Sequence, residues 1–242
     1  CFKKSRGLIF LSETSKNAMR NFLDFSKKEV IVIPHGIENS FKKKPNLQKN
    51  IRYYSKTNPY KLLYVSHIWP YKNHLNVIKA VHELRCQGFP ITIDLVGGYY
   101  KPSFITLKTE IKKLDYNEEF IFYRGSSNKI ETFYHQSDGF IFASSCETYG
   151  QILTEAMMSS LPILCSNQSA LPEILGDAGC YFDPDDLIDL TDTIKKFLLS
   201  KKLRTVIASR GRKKIEHLNW NENAKKTFSF IYKNYRLNCI IN

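Results

Sequence analysis

Hydrophobic runs and polar gaps alternate regularly along the 242-residue chain. "EVIVIP" (29–34) is a β-branched run closed by Pro34, and "KLLYVS" (61–66) is another. Over 73–88, Leu75, Ile78, Ala80, Val81 and Leu84 recur at helical spacing, with Gly88 as the stop. "ITIDLVG" (91–97) predicts a strand ending in glycines. The spacing then predicts helix over 104–114, strand over 120–125, a short helix over 128–137 and strand over 139–144. A helix leads into the strand "PILCS" (162–166), and "GCYFDP" (179–184) is a last short strand. Helices over 186–200, 202–217 and 221–235 close the pattern.

Strand and helix in strict alternation predict parallel βαβ units, hence an α/β fold with a doubly wound parallel sheet. In such sheets ligands bind outside the carboxyl ends of the strands, at the switch point. The segments "VSHIWPYKN", "GGYYKP", "RGSSNK", "SSCETYG" and "SNQSALPE" all follow strands and would face one rim. No internal repeat or low-complexity segment interrupts the pattern.

Composition narrows the class. A 43% apolar and 13% aromatic content suits a globular core. No apolar run reaches the roughly 18 residues of a membrane span. "GLIFL" (7–11) is too short for a signal-peptide core. The 6 Cys form no C-x-x-C pair and several fall in predicted strands, so buried free thiols in a reducing cytosol are expected and a zinc site is not. The net charge of +13 is dispersed over helix faces and concentrated in "FKKKPNLQKNIRYYSK" (41–56). That segment reads as a solvated loop, as a nucleic-acid surface using Tyr53 and Tyr54, or as a contact with an anionic membrane.

The chemistry concentrates in "CETYGQILTEAMMSSLPILCS" (146–166). Glu147 and Glu155 are eight residues apart, which on a regular helix is about 80° beyond two full turns, so they would share a side. Ser144, Ser145 and Thr148 precede the helix, whose free N–H groups suit an anion. Gly150 would let a ligand approach the backbone. The plain alternative is an N-cap by Thr148 or Glu147 with Glu155 exposed. Lys72, placed at the start of the next helix, suits a phosphate. His67 and His74 have no acidic or Cys partner at metal spacing and read as solvated or hydrogen-bonded. The pair Gly97–Gly98 is a weak dinucleotide signal. "DPDD" (183–186) reads as an N-cap by Asp185 or Asp186. There is no G-x-S-x-G, and no Cys/His pair is placed for nucleophilic catalysis.

"ETYGQILTE" fits E-x7-E. With "VSHIWPYKNHLNVIKA", "FIFYRGSSNKIETFYHQSD", "LPILCSNQSALPEILGDAGCYFDPDD" and "LNWNENAKKTFSFIY", it resembles a retaining GT-B glycosyltransferase of family 4, the glycosyl transferases group 1. The resemblance runs over about residues 5–235 and implies the C-terminal, donor-binding half of that fold. It implies that Glu155 holds ribose hydroxyls of a nucleoside diphosphate sugar and Glu147 contacts the transferred sugar. Thr148, Tyr149 and Gly150 would present backbone N–H groups, and Lys72 would bind the diphosphate. Arg124 and Gly125 lie where the family holds the nucleobase. Where the family has Gly-Arg this chain has Ser66-His67, so His67 stands at the diphosphate clamp. No metal or other cofactor is expected.

The resemblance also implies a division of the chain. Residues 1–32 would be the end of an N-terminal domain and linker, 33–217 the donor domain, and 218–242 a helix crossing back to an N-terminal domain absent here or separately encoded. The expected partners are a nucleotide sugar, a glycan or lipid-linked acceptor and an anionic membrane surface, but not nucleic acid. The implied setting is cytoplasmic, at the inner face of the membrane, in cell-surface glycan synthesis. Two other readings stand beside it: a non-catalytic nucleotide-sugar-binding remnant or subunit, and a basic nucleic-acid-binding protein.

Overall fold

A computed structural model describes residues 2 and 4–241, with side chains described as far as Tyr235. The chain opens with β1 (Gly7–Phe10), α1 (Glu13–Arg20) and β2 (Glu29–Val32). The two strands pair in parallel as a sheet of their own, with Gly7 opposite Glu29 and Phe10 opposite Val32. Thus "EVIVIP" forms a strand, but outside the main sheet, and "GLIFL" is its neighbour. A 4-residue strand is too short to stand alone. The unit is tied down by side chains from far along the chain. The Glu173 carboxylate accepts from the N–H groups of Glu13 (2.8 Å) and Thr14 (2.7 Å) at the amino end of α1.

The main sheet has 6 strands. In chain order they and their helices are β3 (Tyr60–Val65), α2 (His74–Cys86), β4 (Ile91–Val96), α3 (Lys101–Leu114), β5 (Ile121–Gly125), α4 (Ile130–Gln136), β6 (Gly139–Phe142), α5 (Gln151–Met158), β7 (Ile163–Ser166), α6 (Leu171–Leu175) and β8 (Gly179–Phe182). The spatial order is β5-β4-β3-β6-β7-β8 and every pairing is parallel. This is the doubly wound sheet that the alternation predicts. The order reverses between β3 and β6. Every residue of β6 and β7 is buried, as strands covered on both faces require. Helices α7 (Leu187–Leu199), α8 (Lys201–Ile215) and α9 (Trp220–Ile241) follow. Asp186 caps α7 as expected, accepting from Ile188 N–H (2.9 Å) and Asp189 N–H (3.1 Å).

The basic segment 41–56 is a strap across the core and not a free loop. Phe41 and Gln48 are buried, and Tyr54 packs edge-on against Tyr60 at 5.2 Å. Only Tyr53 of its two tyrosines stands exposed. Arg204, which reads as one more surface cation, is wholly buried beneath this strap. The thiols correct the expectation in part: Cys165 is buried and Cys180 half-buried, but Cys86 and Cys146 are exposed. The side chains of Cys1 and Cys239 lie outside the described residues. No helix among the described residues is long and apolar enough to cross a membrane.

Helix α9 packs one face on β1, and Asn223 Nδ2 donates to Pro34 O at 2.7 Å. Its outer face leaves Phe228, Ile231 and Tyr232 70%, 52% and 55% exposed, while Ala224 is half-buried. A strip of this kind favours association. Sedimentation velocity is expected to show concentration-dependent self-association, reduced in a Phe228→Ser/Ile231→Ser variant. A monodisperse monomer at high concentration would refute this.

Candidate active site

A cleft of about 490 Å³ opens at the carboxyl ends of β3, β4 and β6, at the reversal of strand order. Its back wall forms where pairing continues beyond the strands: Ser66 N–H donates to Val96 O (2.9 Å) and Ile68 N–H to Gly98 O (2.9 Å). A Cβ on Gly97 would meet Ser66 O at 2.2 Å, and one on Gly98 would meet the His67 ring at 2.5 Å. The glycine pair therefore lets two loops close on each other, and His67 lies exposed at the rim.

Lys72 sits in a 3-10 turn (Pro70–Lys72), not in the first turn of a helix, because Pro70 starts the turn and Asn73 leaves it with φ 53°. Asn73 then clamps two loops, donating to Ala143 O (3.0 Å) and Ser145 Oγ (2.6 Å). Ser145 N–H adds a bond to Tyr71 O at 2.8 Å. The clamp brings Lys72 Nζ into an ion pair with Glu147. Lys72 is only 8% exposed, and its Nζ lies 5.1 Å from the ring centres of Tyr71 and Phe142. An ammonium so placed needs a counter-charge, and Glu147 provides it.

Glu147 lies in the loop before α5, so the shared helical side expected for Glu147 and Glu155 does not arise. The N-cap reading also fails: α5 begins after Gly150, at φ 85°, with no side-chain cap. The first residues of α5, Gln151 and Ile152, line the cleft. Uncapped amides there, with the helix dipole, favour an anion. Thr148 is held through its carbonyl, which accepts from Ser12 Oγ at 2.6 Å. Tyr149 is 2% exposed and meets His35 edge-on at 5.4 Å; burial pushes its phenol up to about 12. Neither residue lines the cleft, although the Thr148 side chain stands exposed.

Of the expected residues, His67, Lys72, Glu147 and Gly150 line the cleft. Glu155 stands a turn further along α5, off the lining. Its Oε2 accepts from Tyr134 O–H at 2.8 Å, and burial raises its pKa. Arg124, on β5, pairs with Asp94 of β4 (2.5 Å) and faces a different groove, beside Lys108 and Phe122. Gly125, at φ 67°, accepts from Gly97 N–H (2.8 Å) and delivers Ser126 and Ser127 to the cleft. Gln151 is a residue the sequence reading missed. It lines the cleft, donates to Gly36 O (3.0 Å), and keeps a buried Oε1 with no partner. A polar residue directly after Gly150 was the available signal. A larger groove of about 730 Å³ lies between residues 4–9 and α9, but no carboxylate among the described residues lines it.

The raised Glu155 pKa has a consequence for stability. Between its unfolded and folded values the native state holds more protons, so its contribution is present below about 4.5 and is lost as pH rises through the folded value. Glu155→Gln is expected to be more stable than the parent at pH 7, with the difference shrinking toward pH 4, by urea denaturation. An equal difference at both pH values would contradict this.

The family model for glycosyl transferases group 1 matches residues 47–214, which is more than half of the chain. The chain belongs to this family. Among curated members it is 25% identical over 169 residues to the Escherichia coli O-antigen chain mannosyltransferase B, covering 69% of this chain and 44% of that protein. It is 26% identical over 169 residues to the Staphylococcus aureus capsular polysaccharide biosynthesis glycosyltransferase CapM, covering 65% of this chain and 43% of that protein. The chain thus spans less than half the length of these relatives. Solved structures share the fold. Anabaena HepE in complex with UDP superposes with a TM-score of 0.78 at 18% identity, covering 95% of this chain and 64% of that one. The sucrose-phosphate synthase of Thermosynechococcus elongatus superposes with 0.81 at 16% identity, covering 97% and 60%.

Proposed function

We propose that this chain is the donor-binding part of a glycosyltransferase that moves a sugar from a nucleoside diphosphate sugar to an acceptor with retention at the anomeric carbon. The observation that carries this is the partly buried Lys72–Glu147 pair facing the uncapped amino end of α5 in a switch-point cleft. As the sugar–phosphate bond breaks, negative charge grows on the leaving diphosphate. The Lys72 ammonium and the α5 amides stabilise it in the transition state, where such contacts accelerate the step. These groups supply the positive charge a diphosphate needs, so the reading includes no metal or other cofactor. Glu147 holds hydroxyls of the transferred sugar. Glu155, with one oxygen held by Tyr134, offers the other to the ribose. Ser126 and Ser127, following Arg124 and Gly125, border the base.

The domain reading accompanies this proposal. Residues 33–217 bind the donor, while 1–32 and 218–242 belong with an N-terminal acceptor domain. The names of the O-antigen and capsular relatives support a glycan or lipid-linked acceptor at the cell surface, with the protein working on the cytoplasmic side against an anionic membrane. Calorimetry with UDP, GDP and ADP and their sugars is expected to give saturable binding of one base series at physiological salt. Lys72→Ala should lower that affinity by about tenfold or more, the scale of a charge-assisted bond. Absence of binding by all three series, or retention on RNA or DNA in their place, would sink the proposal.

A further inference from the structure

We propose that a second cavity, beside the cleft and sharing Trp69 with it, binds one neutral polyhydroxylated ring such as a monosaccharide. It lies between the amino ends of α2 and α3 and measures about 300 Å³. That is the small end of ligand pockets, which run about 300–1,000 Å³, and suits one sugar ring and not a nucleotide sugar.

Beside the shared Trp69, a hydrogen-bonded pair stands between cleft and cavity. Ser66 Oγ, on the cleft side, lies 3.1 Å from both His67 O and His74 Nε2; where it donates to the carbonyl, it accepts from His74 Nε2–H. This tautomer leaves His74 Nδ1 with a bare lone pair. His74 lines the second cavity, is 4% exposed, and its Nδ1 is buried with no hydrogen-bond partner. Burial, with the Lys72 charge adding to it, pushes this imidazole down to about 3, so it remains an acceptor at neutral pH. A buried acceptor left unmatched is costly, and a ligand hydroxyl that reaches it through a small shift of the cavity wall would recover that cost.

The remaining surface matches that demand. Asn73 commits both N–H groups of its amide, to Ala143 O and Ser145 Oγ, and Asn76 commits one, to Pro184 O, so each keeps an oxygen acceptor and Asn76 one further N–H. Ser103 adds a hydroxyl. Trp69 forms a broad aromatic wall, stacked on Tyr100 at 4.6 Å and 7°, against which the C–H face of a sugar packs. Among the described residues no Lys, Arg, Asp or Glu lines the cavity, so none there neutralises an ionic ligand. One water would satisfy Nδ1, but its share of volume is about 30 Å³, a tenth of the space. The inference rests on these residues alone and is independent of the donor reading.

The test is NMR of the full chain with ¹⁵N-labelled histidine, titrated with glucose, mannose, N-acetylglucosamine and glycerol to about 100 mM, which covers weak millimolar affinities. At least one sugar is expected to give a saturable shift of His74 Nδ1 in the direction of an accepted hydrogen bond. Thr106→Trp, filling the cavity from an exposed position of α3, should weaken that sugar by about tenfold or more, with nucleoside diphosphate binding in the cleft unchanged. Ser103→Leu is a second blocking variant should the first fail to fold. No saturable shift with any sugar or polyol would overturn the proposal. So would a shift that survives both blocking variants, or one given by tetramethylammonium in place of the sugars.

Discussion

Arg204→Ala is expected to cost about 3–5 kcal/mol of folding stability, the range of buried polar and cavity losses combined. The guanidinium is fully buried, and no carboxylate pairs with it among the described residues. It is satisfied by neutral acceptors. Nη1 donates to Phe197 O (2.6 Å) and Leu198 O at the carboxyl end of α7, Nη2 to Lys49 O (2.5 Å), and Nε to Gln48 Oε1 (3.0 Å). Its carbon lies 5.2 Å from the Tyr60 ring centre and 5.8 Å from that of Phe197. One residue therefore closes a helix end, where a cation meets the negative pole of the dipole, and fastens the strap to the sheet. Alanine orphans those carbonyls and leaves a cavity. Lysine keeps the charge but lacks the planar fork, so Arg204→Lys should recover only part of the loss. A shift in denaturation midpoint worth less than about 1 kcal/mol for the alanine variant would show that the strap is held otherwise.

Glu155→Ala and Glu147→Gln are expected to move nucleoside diphosphate affinity in opposite directions, on the proposed donor reading. Loss of Glu155 removes a charge-assisted bond to the ribose and should weaken both bare diphosphate and full donor by about 10- to 150-fold, or roughly 1.5–3 kcal/mol. Glu147 is different because it already holds Lys72. An incoming diphosphate has to share or displace that carboxylate, so Glu147→Gln frees the ammonium. Bare diphosphate should bind about three- to thirtyfold more tightly, since breaking a partly buried pair releases a few RT of competing attraction. The full donor should gain less or lose, because the transferred sugar forfeits its charged acceptor. Titration of each variant with diphosphate and with donor sugar separates the cases. Weaker diphosphate binding in Glu147→Gln would mean that the ion pair positions Lys72 for the phosphate and does not compete with it.

The elements with a strong period were legible in the chain itself. The buried runs of β6 and β7, the helical face of α2 from Leu75 to Leu84 and the stop at Gly88 depend on side-chain spacing, and spacing is a property of the sequence alone. The family was legible for the same reason, since its motifs are order and distance along the chain. The Asp186 cap was local too: a side chain two residues from the amide it meets needs no distant partner.

What needed the tertiary structure was every feature made by residues far apart in sequence. Lys72 and Glu147 meet only because Asn73 clamps the loops after β3 and β6, strands adjacent in space and more than seventy residues apart in the chain. Arg204 looks like its exposed neighbours Lys201 and Lys202, and only the strap above it takes it out of water. "EVIVIP" has the composition of a core strand, yet pairs with β1 because α1 returns the chain beside it. Glu155 and Glu147 share a motif but not a helix, since the positive φ of Gly150 delays the start of α5. A sequence records which side chains are available and how they are spaced. Which of them become neighbours is decided by the packing of strands whose order in space is not their order in the chain.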